Sequence, residues 1–428
     1  MVYRKGLAAL ALAALSCAAT AQQKEIKIGF VYDLTGPFAG GGSEPAQIGT
    51  KAAVDYFNEK GGVEGYRINA IFADAQSKVD VAINEMTRLY DQEKVDLVMG
   101  VYSSAQCVPM AQQADARKKF LWLNVCVASS VMKDKHFQYV FRPTVHSDQY
   151  GHATCEYVHN YSKSKFGIEP KNMRIAIIHE DGPYGAGVAA ANDIECKKMG
   201  MNVVMKEGYS ASAPDLSSLV TKLKRARPDV ILHTGYNPDI TLFLRQAKEQ
   251  GLKFKALIGH GAGHSQIDKL RQTFGDDVNY FHSADPAAAQ LLDPKTLKPG
   301  MSELIKVLQT RYEKVKGPGE MPPHAAMGFN NTWIFLHDVL PVAIKKYGGI
   351  DPEALRKAAL DVDIPVGGTI QGYGVKFFKP GTPMAGQNER SFVVVMQYVN
   401  GRARIAWPKA VQTTDPVLPF PKGHTFAP

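Results

Sequence analysis

Hydrophobic positions along this chain alternate between short apolar runs and stripes at helical spacing. Ile26 to Tyr32 is a compact apolar run and predicts a strand, with a glycine-rich loop from Thr35 to Ser43 after it. Ala46 to Lys60 reads as an amphipathic helix that stops at Gly61-Gly62. Strands are predicted at Arg67–Ala73, Val95–Gly100 and Phe120–Leu123, with helices over Val79–Gln92 and across Pro109–Lys118. This β-α alternation implies a parallel sheet covered by helices on both faces. It restarts at the strand Met173–His179. Helices at Gly185–Met199, Leu216–Arg225 and Ile240–Gln250 then alternate with strands at Asn202–Lys206, Asp229–His233 and Phe254–Gly259. Helices at Met301–Lys314, Ala325–Lys346 and Pro352–Leu360 follow. Ser391–Tyr398 and Arg402–Trp407 read as a hairpin about Asn400-Gly401. These late segments complete two lobes rather than build a third domain, and the proline-rich stretch from Pro408 to Pro428 reads as an irregular surface extension.

The two halves open alike. The first strand ends in Asp33-Leu34-Thr35-Gly36-Pro37-Phe38, and the strand at Met173 ends in Glu180-Asp181-Gly182-Pro183-Tyr184-Gly185. Each is a strand, an acid, Gly-Pro-aromatic and then a helix. Two similar α/β lobes with equivalent loops facing each other are expected.

The N-terminus changes the setting. Arg4 and Lys5 precede an Ala/Leu run from Gly6 to Leu15, and Ala19-Thr20-Ala21 offers small residues for cleavage. This is the layout of a secretory signal, residues 1–21, and the run is too short for a membrane anchor. Cys17 invites a lipoprotein reading, but Ala14-Leu15-Ser16 fits that motif poorly. A periplasmic protein of two domains is expected. The composition is globular, 45% hydrophobic and 21% charged, and the formal charge of +9 is spread among both signs. No basic block marks a nucleic-acid binder.

The motifs in this order resemble the branched-chain amino-acid binding proteins. The resemblance rests on Ile26–Tyr32 with Thr35-Gly36-Pro37, Asn58-Glu59-Lys60-Gly61-Gly62-Val63, Gly100-Val101-Tyr102-Ser103-Ser104 and Asp181-Gly182-Pro183-Tyr184-Gly185. It implies a type I periplasmic binding fold, with two doubly wound parallel-sheet lobes joined by three crossovers. Carried over, lobe one is 22–145 plus 284–388, and lobe two is 146–283 plus 389–428. It further implies a monomer that captures a small molecule in the interlobe cleft and delivers it to the permease of an ABC importer, with no cofactor. A ligand-sensing component of a signalling system uses the same fold and is the alternative of another class. Four cysteines follow the signal and permit three pairings. Cys107–Cys126 and Cys155–Cys196 keep each pair within one lobe, and four buried free thiols are the alternative.

Ligands of open parallel sheets sit at the carboxyl ends of the strands, which selects the site candidates. Ser103 and Ser104 lie between a strand and a helix, where a hydroxyl and free N–H groups suit a carboxylate. The resemblance gives Ser104 that role, and a plain helix cap is the other reading. Tyr102 can stack on an apolar or aromatic ligand or pack at the sheet edge. Cys126, Val127 and Ala128 fall where family members offer a carbonyl and a threonine hydroxyl. Ala128 lacks that hydroxyl unless Ser129 substitutes. Tyr184 and Tyr236 match aromatic residues that close the cleft. The loop Gly259-His260-Gly261-Ala262-Gly263-His264 has no acid where amino-acid binders carry one for the ligand ammonium. A buried ammonium without a counter-charge is costly. The ligand expected is therefore a small organic carboxylate, with aromatic carboxylates among the ligands that the resemblance implies and an amino acid as the alternative. Gly261 leaves room and His260 can donate a hydrogen bond. His260 and His264 lie on a glycine-rich loop, where nothing fixes them on one face, and no third ligand is evident nearby, which argues against a metal. No Gly-x-Ser-x-Gly elbow, phosphate loop or partnered nucleophile points to an enzyme.

Overall fold

The computed structural model describes residues 24–428. The predicted signal segment, with Cys17, lies outside the described residues. The first sheet is parallel throughout: β1 (Lys24–Tyr32), β2 (Tyr66–Asp74), β3 (Leu97–Gly100), β4 (Leu121–Leu123) and β5 (Val140–Phe141) lie in the order β2-β1-β3-β4-β5. Helices α1 (Glu44–Glu59), α2 (Val79–Asp91) and α3 (Ser104–Ala116) connect the strands. The helix that carries Pro109 thus begins at Ser104, directly above the end of β3.

After β5 the chain crosses to a second sheet through α4 (Ser147–Ser162). That sheet takes β6 (Arg174–Glu180), β7 (Asn202–Tyr209), β8 (Val230–Thr234), β9 (Ala256–His260) and β10 (His282–Asp285) in parallel. The intervening helices are α5 (Pro183–Lys198), α6 (Ser217–Ala226), α7 (Asn237–Glu249) and α8 (Ile267–Phe274). The chain then returns to the first lobe as α9 (Met301–Lys316), α10 (Pro323–Ile334), α11 (Leu340–Tyr347) and α12 (Pro352–Leu360). It crosses a third time to add the antiparallel strands β11 (Val394–Val399) and β12 (Arg402–Trp407), giving the order β12-β11-β10-β9-β8-β6-β7. This is the type I arrangement of two lobes. The hairpin turn at Asn400-Gly401 has both residues at positive φ, 51° and 71°, as an Asn-Gly turn requires.

Four elements were not legible as hydrophobic runs. β5 spans two residues, and β10 reads His-Ser-Ala-Asp although all four are buried between β9 and β11. α4 is rich in polar and aromatic residues and is started by a capping box between His146 and Gln149. α8 is short. The helix predicted over Ala325–Lys346 is interrupted by a wider turn at Phe335–Val339, just before Pro341, which has no N–H to donate back into the helix.

Packing explains two sequence features. Gly49 on α1 and Gly328 on α10 let these helices touch backbone to backbone. A Cβ at either would collide with the other helix's carbonyl oxygen, that of Ala325 or of Ala46. The proline-rich tail does more than run along the surface. Phe420 and Phe426 are buried against Phe254 and Phe281, with ring centroids 5.2–5.9 Å apart. Backbone bonds from Phe254 N–H to Phe426 O (2.9 Å) and from Phe420 N–H to Lys255 O (2.8 Å) hold it there. The disulfides are Cys107–Cys126, tying α3 to the segment after β4, and Cys155–Cys196, tying α4 to α5.

Candidate functional site

The loops at the carboxyl ends of both sheets line a narrow cleft that leaves about 20 Å³ of free space for the centre of a water-sized sphere. The first lobe contributes Tyr102 and Ser104 at the start of α3, Val125 and Val127 after β4, and His324 and Met327 from α10. The second contributes Tyr150, Tyr184, Tyr236, Ala262 and Asp285. Five of the ten residues singled out in the sequence therefore meet here: Tyr102, Ser104, Val127, Tyr184 and Tyr236.

Ser104 is placed by the turn from β3 into α3. Its Oγ accepts the Ala128 N–H at 3.1 Å, which leaves the hydroxyl proton free to donate to a ligand. Tyr236 sits just before α7. Its N–H donates to Asp239 Oδ1 at 2.9 Å, and Asp239 Oδ2 takes the Tyr209 hydroxyl at 2.7 Å. The Tyr236 ring lies 4.3 Å from Phe38, 5.5 Å from Tyr184 and 5.9 Å from Tyr102. The aromatic residues of the two matching Gly-Pro loops, Phe38 and Tyr184, thus close on the same ring. Tyr184 donates its hydroxyl to His260 O at 2.7 Å. Its helix start is fixed by Glu180, which accepts the N–H groups of Gly182 and Gly185 at 2.6 and 2.5 Å. Gly42 packs so closely on Tyr102 and His324 that any side chain there would collide with both rings.

The other five candidates stand behind this lining. Ser103 is the residue before α3 and is buried. Cys126 is in its disulfide, and the Cys126 and Ala128 carbonyls accept from Arg142. His260 is an internal residue of the second lobe. β9 runs one residue further than the apolar run suggested, so its ring is held inside the lobe. Nδ1 lies 2.9 Å from Thr234 Oγ1 and Nε2 3.2 Å from Asn192 Nδ2, and burial pushes its pKa down to about 4. Gly261, at φ +35°, is a spacer: a Cβ there would come 3.0 Å from Asp285 Oδ1.

Asp285 is the main residue that sequence reasoning missed. The 259–264 loop has no acid, but β10 delivers one to the neighbouring position. Asp285 is 1% exposed and accepts the hydroxyls of Tyr150 (2.6 Å) and Ser265 (2.7 Å). Burial pushes its pKa up to about 7, against the pull of those two donors. His324, also missed, is pushed down to about 4 by burial and stands neutral beside Tyr102. Recognising β10 as a strand was the one signal that would have found Asp285. Nothing local in the sequence marks His324 or Met327.

Among the described residues, no group of three or more His, Cys, Asp or Glu side chains is placed to hold a metal ion, and no helix is long and apolar enough to cross a membrane.

Two lobes with a small, largely apolar cavity between their strand ends define a solute-binding protein of the type I class. The chain belongs to the periplasmic binding protein family, whose members are solute-binding proteins: residues 25–396 match it. It is 32% identical over 415 residues, 97% of this chain and 99% of the relative, to a Leu/Ile/Val-binding protein homolog 7 of Brucella abortus. Its fold is shared with the branched-chain amino acid transporter substrate binding protein LivJ of Streptococcus pneumoniae in complex with isoleucine (TM-score 0.72, 20% identity, 89% of this chain and 98% of that one). It is shared equally with an ABC transporter solute binding protein of Rhodopseudomonas palustris in complex with benzoate (TM-score 0.73, 14% identity, 92% and 99%).

Proposed function

We propose that this chain is the periplasmic binding component of an ABC importer, closing on a small carboxylate whose charged end meets Ser104 and the start of α3. Its boundaries follow the sheets, with passages between lobes near 145/146 and 388/389. Because β10 runs to Asp285, the remaining passage falls after Asp285 rather than at 283/284. The observation that carries the ligand reading is the pair of polar groups on opposite walls, Ser104 from the first lobe and Asp285 from the second. A carboxylate on Ser104 and an ammonium on Asp285 satisfy both at once, and the tyrosine and methionine walls take an apolar or aromatic remainder. An apolar or aromatic α-amino acid is thus the first reading. The argument against an ammonium rested on a missing acid, and Asp285 removes it. An amine-free aromatic acid is the second reading. It is favoured by the pKa of Asp285 near 7, which lets a protonated carboxyl face a carboxylate, and by the benzoate complex of the Rhodopseudomonas protein.

Closure of the two lobes brings these groups together, and Tyr236, docked against Phe38, spans the seam. The test is a thermal-shift panel of L-leucine, L-phenylalanine, benzoate, short aliphatic acids, amides and urea, run on the wild type and on Ser104→Ala. A ligand at 100 times its Kd adds about 2.7 kcal/mol, a rise of a few degrees. Ser104→Ala is expected to weaken acid binding about tenfold or more, the loss of one charge-assisted hydrogen bond. Equal affinity in the variant rejects the placement of the carboxylate.

A further inference from the structure

Arg142 is completely buried just before the chain first leaves lobe one, and its bonding is incomplete. Its Nε donates to Gln387 Oε1 at 2.5 Å, and its Nη1 donates to the carbonyls of Ala128 (2.8 Å) and Cys126 (3.2 Å). Nη2 has no hydrogen-bond partner, and among the described residues no carboxylate forms an ion pair with this guanidinium. Carbonyl bonds explain why a donor is needed here. They do not explain a full positive charge, whose burial without an opposite charge costs several kcal/mol.

We infer that Arg142 is the charge that makes the cavity select an anionic end on its ligand, the bound carboxylate acting as its counter-ion. This rests on the carboxylate reading given above and assigns a residue behind the wall to it. The link is Ala128, whose carbonyl holds Arg142 and whose N–H holds Ser104 Oγ, so one residue separates the guanidinium from the hydroxyl that meets the ligand. In a fully buried wall such a charge is poorly screened. Its field is already felt nearby: burial, and next to it Arg142, push His146 down to about 4. The other groups that sense it are Asp148 and Tyr150 on α4. Asp148 is half-exposed and lies 3.6 Å from Lys133, so it is engaged elsewhere, and Tyr150 is a neutral phenol. With Asp285 on the opposite wall, the cavity is positive behind lobe one and negative on lobe two.

The experiment measures, by titration calorimetry, the affinity ratio of acid to amide for L-leucine against L-leucinamide and for benzoate against benzamide. Arg142→Gln keeps two N–H donors and removes the charge. Its ratio is expected to collapse about tenfold or more, chiefly through weaker binding of the acid. Arg142→Lys keeps the charge and is expected to hold the ratio within about threefold of wild type. A wild-type ratio in Arg142→Gln, or equal loss for acid and amide, overturns the inference. Should Arg142→Gln not fold, loss of the ratio in Arg142→Lys overturns it and retention supports it. Ser104→Ala in the same series separates the two ideas. If it leaves acid affinity unchanged, the carboxylate reading fails. If it weakens acid binding while Arg142→Gln keeps the ratio, only the role of Arg142 fails.

Discussion

Replacing Asp285 by Asn tests the second polar wall most directly. Asn keeps one acceptor for Tyr150 or Ser265, turns its NH2 toward the oxygen of the other hydroxyl, and fills the same space beside Gly261, so the unliganded fold should survive. The negative charge is lost. An ammonium about 4 Å from a carboxylate gains about 4 kcal/mol at an effective dielectric of about 20. Part of that offsets keeping a buried carboxyl ionised at pH 7, close to its pKa of about 7. A net loss of about 3 kcal/mol, or roughly a hundredfold in Kd, is expected for L-leucine or L-phenylalanine. Their deaminated analogues, 4-methylvalerate and 3-phenylpropionate, should bind the variant as well as or better than wild type. The proton and the ammonium compete for one carboxyl. Wild-type affinity for the amino acids should therefore fall as pH drops from 8 to 6, while that of Asp285→Asn stays flat. Calorimetric titrations at pH 6, 7 and 8 read both effects. A loss below threefold, or a wild-type affinity that does not change with pH, refutes the pairing. An affinity for the deaminated acids that weakens as pH rises through 7 transfers the site to the amine-free reading.

Three further outcomes concern the fold. Phe426→Ala removes a ring buried at 2% exposure among Phe254 and Phe281 and should cost about 3–5 kcal/mol in urea unfolding. A loss under 1 kcal/mol would show that the tail is not part of the core. Gly328→Ala drives a methyl group into the Ala46 carbonyl and should cost about 1–3 kcal/mol by the same assay, with no cost contradicting the close α1–α10 contact. The melting temperature should peak near pH 6–7. Asp33, Asp239 and Asp285, raised by burial to about 6, 7 and 7, keep protons that unfolded carboxyls release above about pH 4, so the stability they contribute is lost as pH rises from about 4 through 7. His260, His264, His282 and His324, lowered by burial to about 3–4, stay neutral where unfolded histidines take a proton, so their contribution is lost as pH falls below 6.5. A melting temperature that is constant from pH 5 to 8 would contradict these assignments.

The lobes were legible because most strands of a parallel sheet covered on both faces are continuously apolar. Ile26–Tyr32 and Met173–His179 announce themselves, and the residues just beyond such strands, Tyr102, Ser104, Tyr184 and Tyr236, proved to line the cavity. The same rule would have found Asp285, but β10 hides its burial behind polar residues satisfied inside the lobe: His282 on Leu257 O, Ser283 on Ser265 and Asp285 on Tyr150. His324 and Met327 reach the cavity from a helix more than two hundred residues after Ser104, on a third segment of the chain, and only tertiary packing brings them there. His260 is the last residue of β9, one beyond the apolar run, and its ring lies inside the lobe.

The order in which the lobes are threaded also governs how the chain can be made. The second lobe's sheet has β10 at its interior, and β10 waits for β11, which follows only after α9 to α12 have been added to the other lobe. Its core then needs Tyr398, Phe420 and Phe426 to cover Phe254 and Phe281. A ribosome must therefore release nearly all of the chain before this lobe can lock. Until then its apolar strands remain available to chaperones.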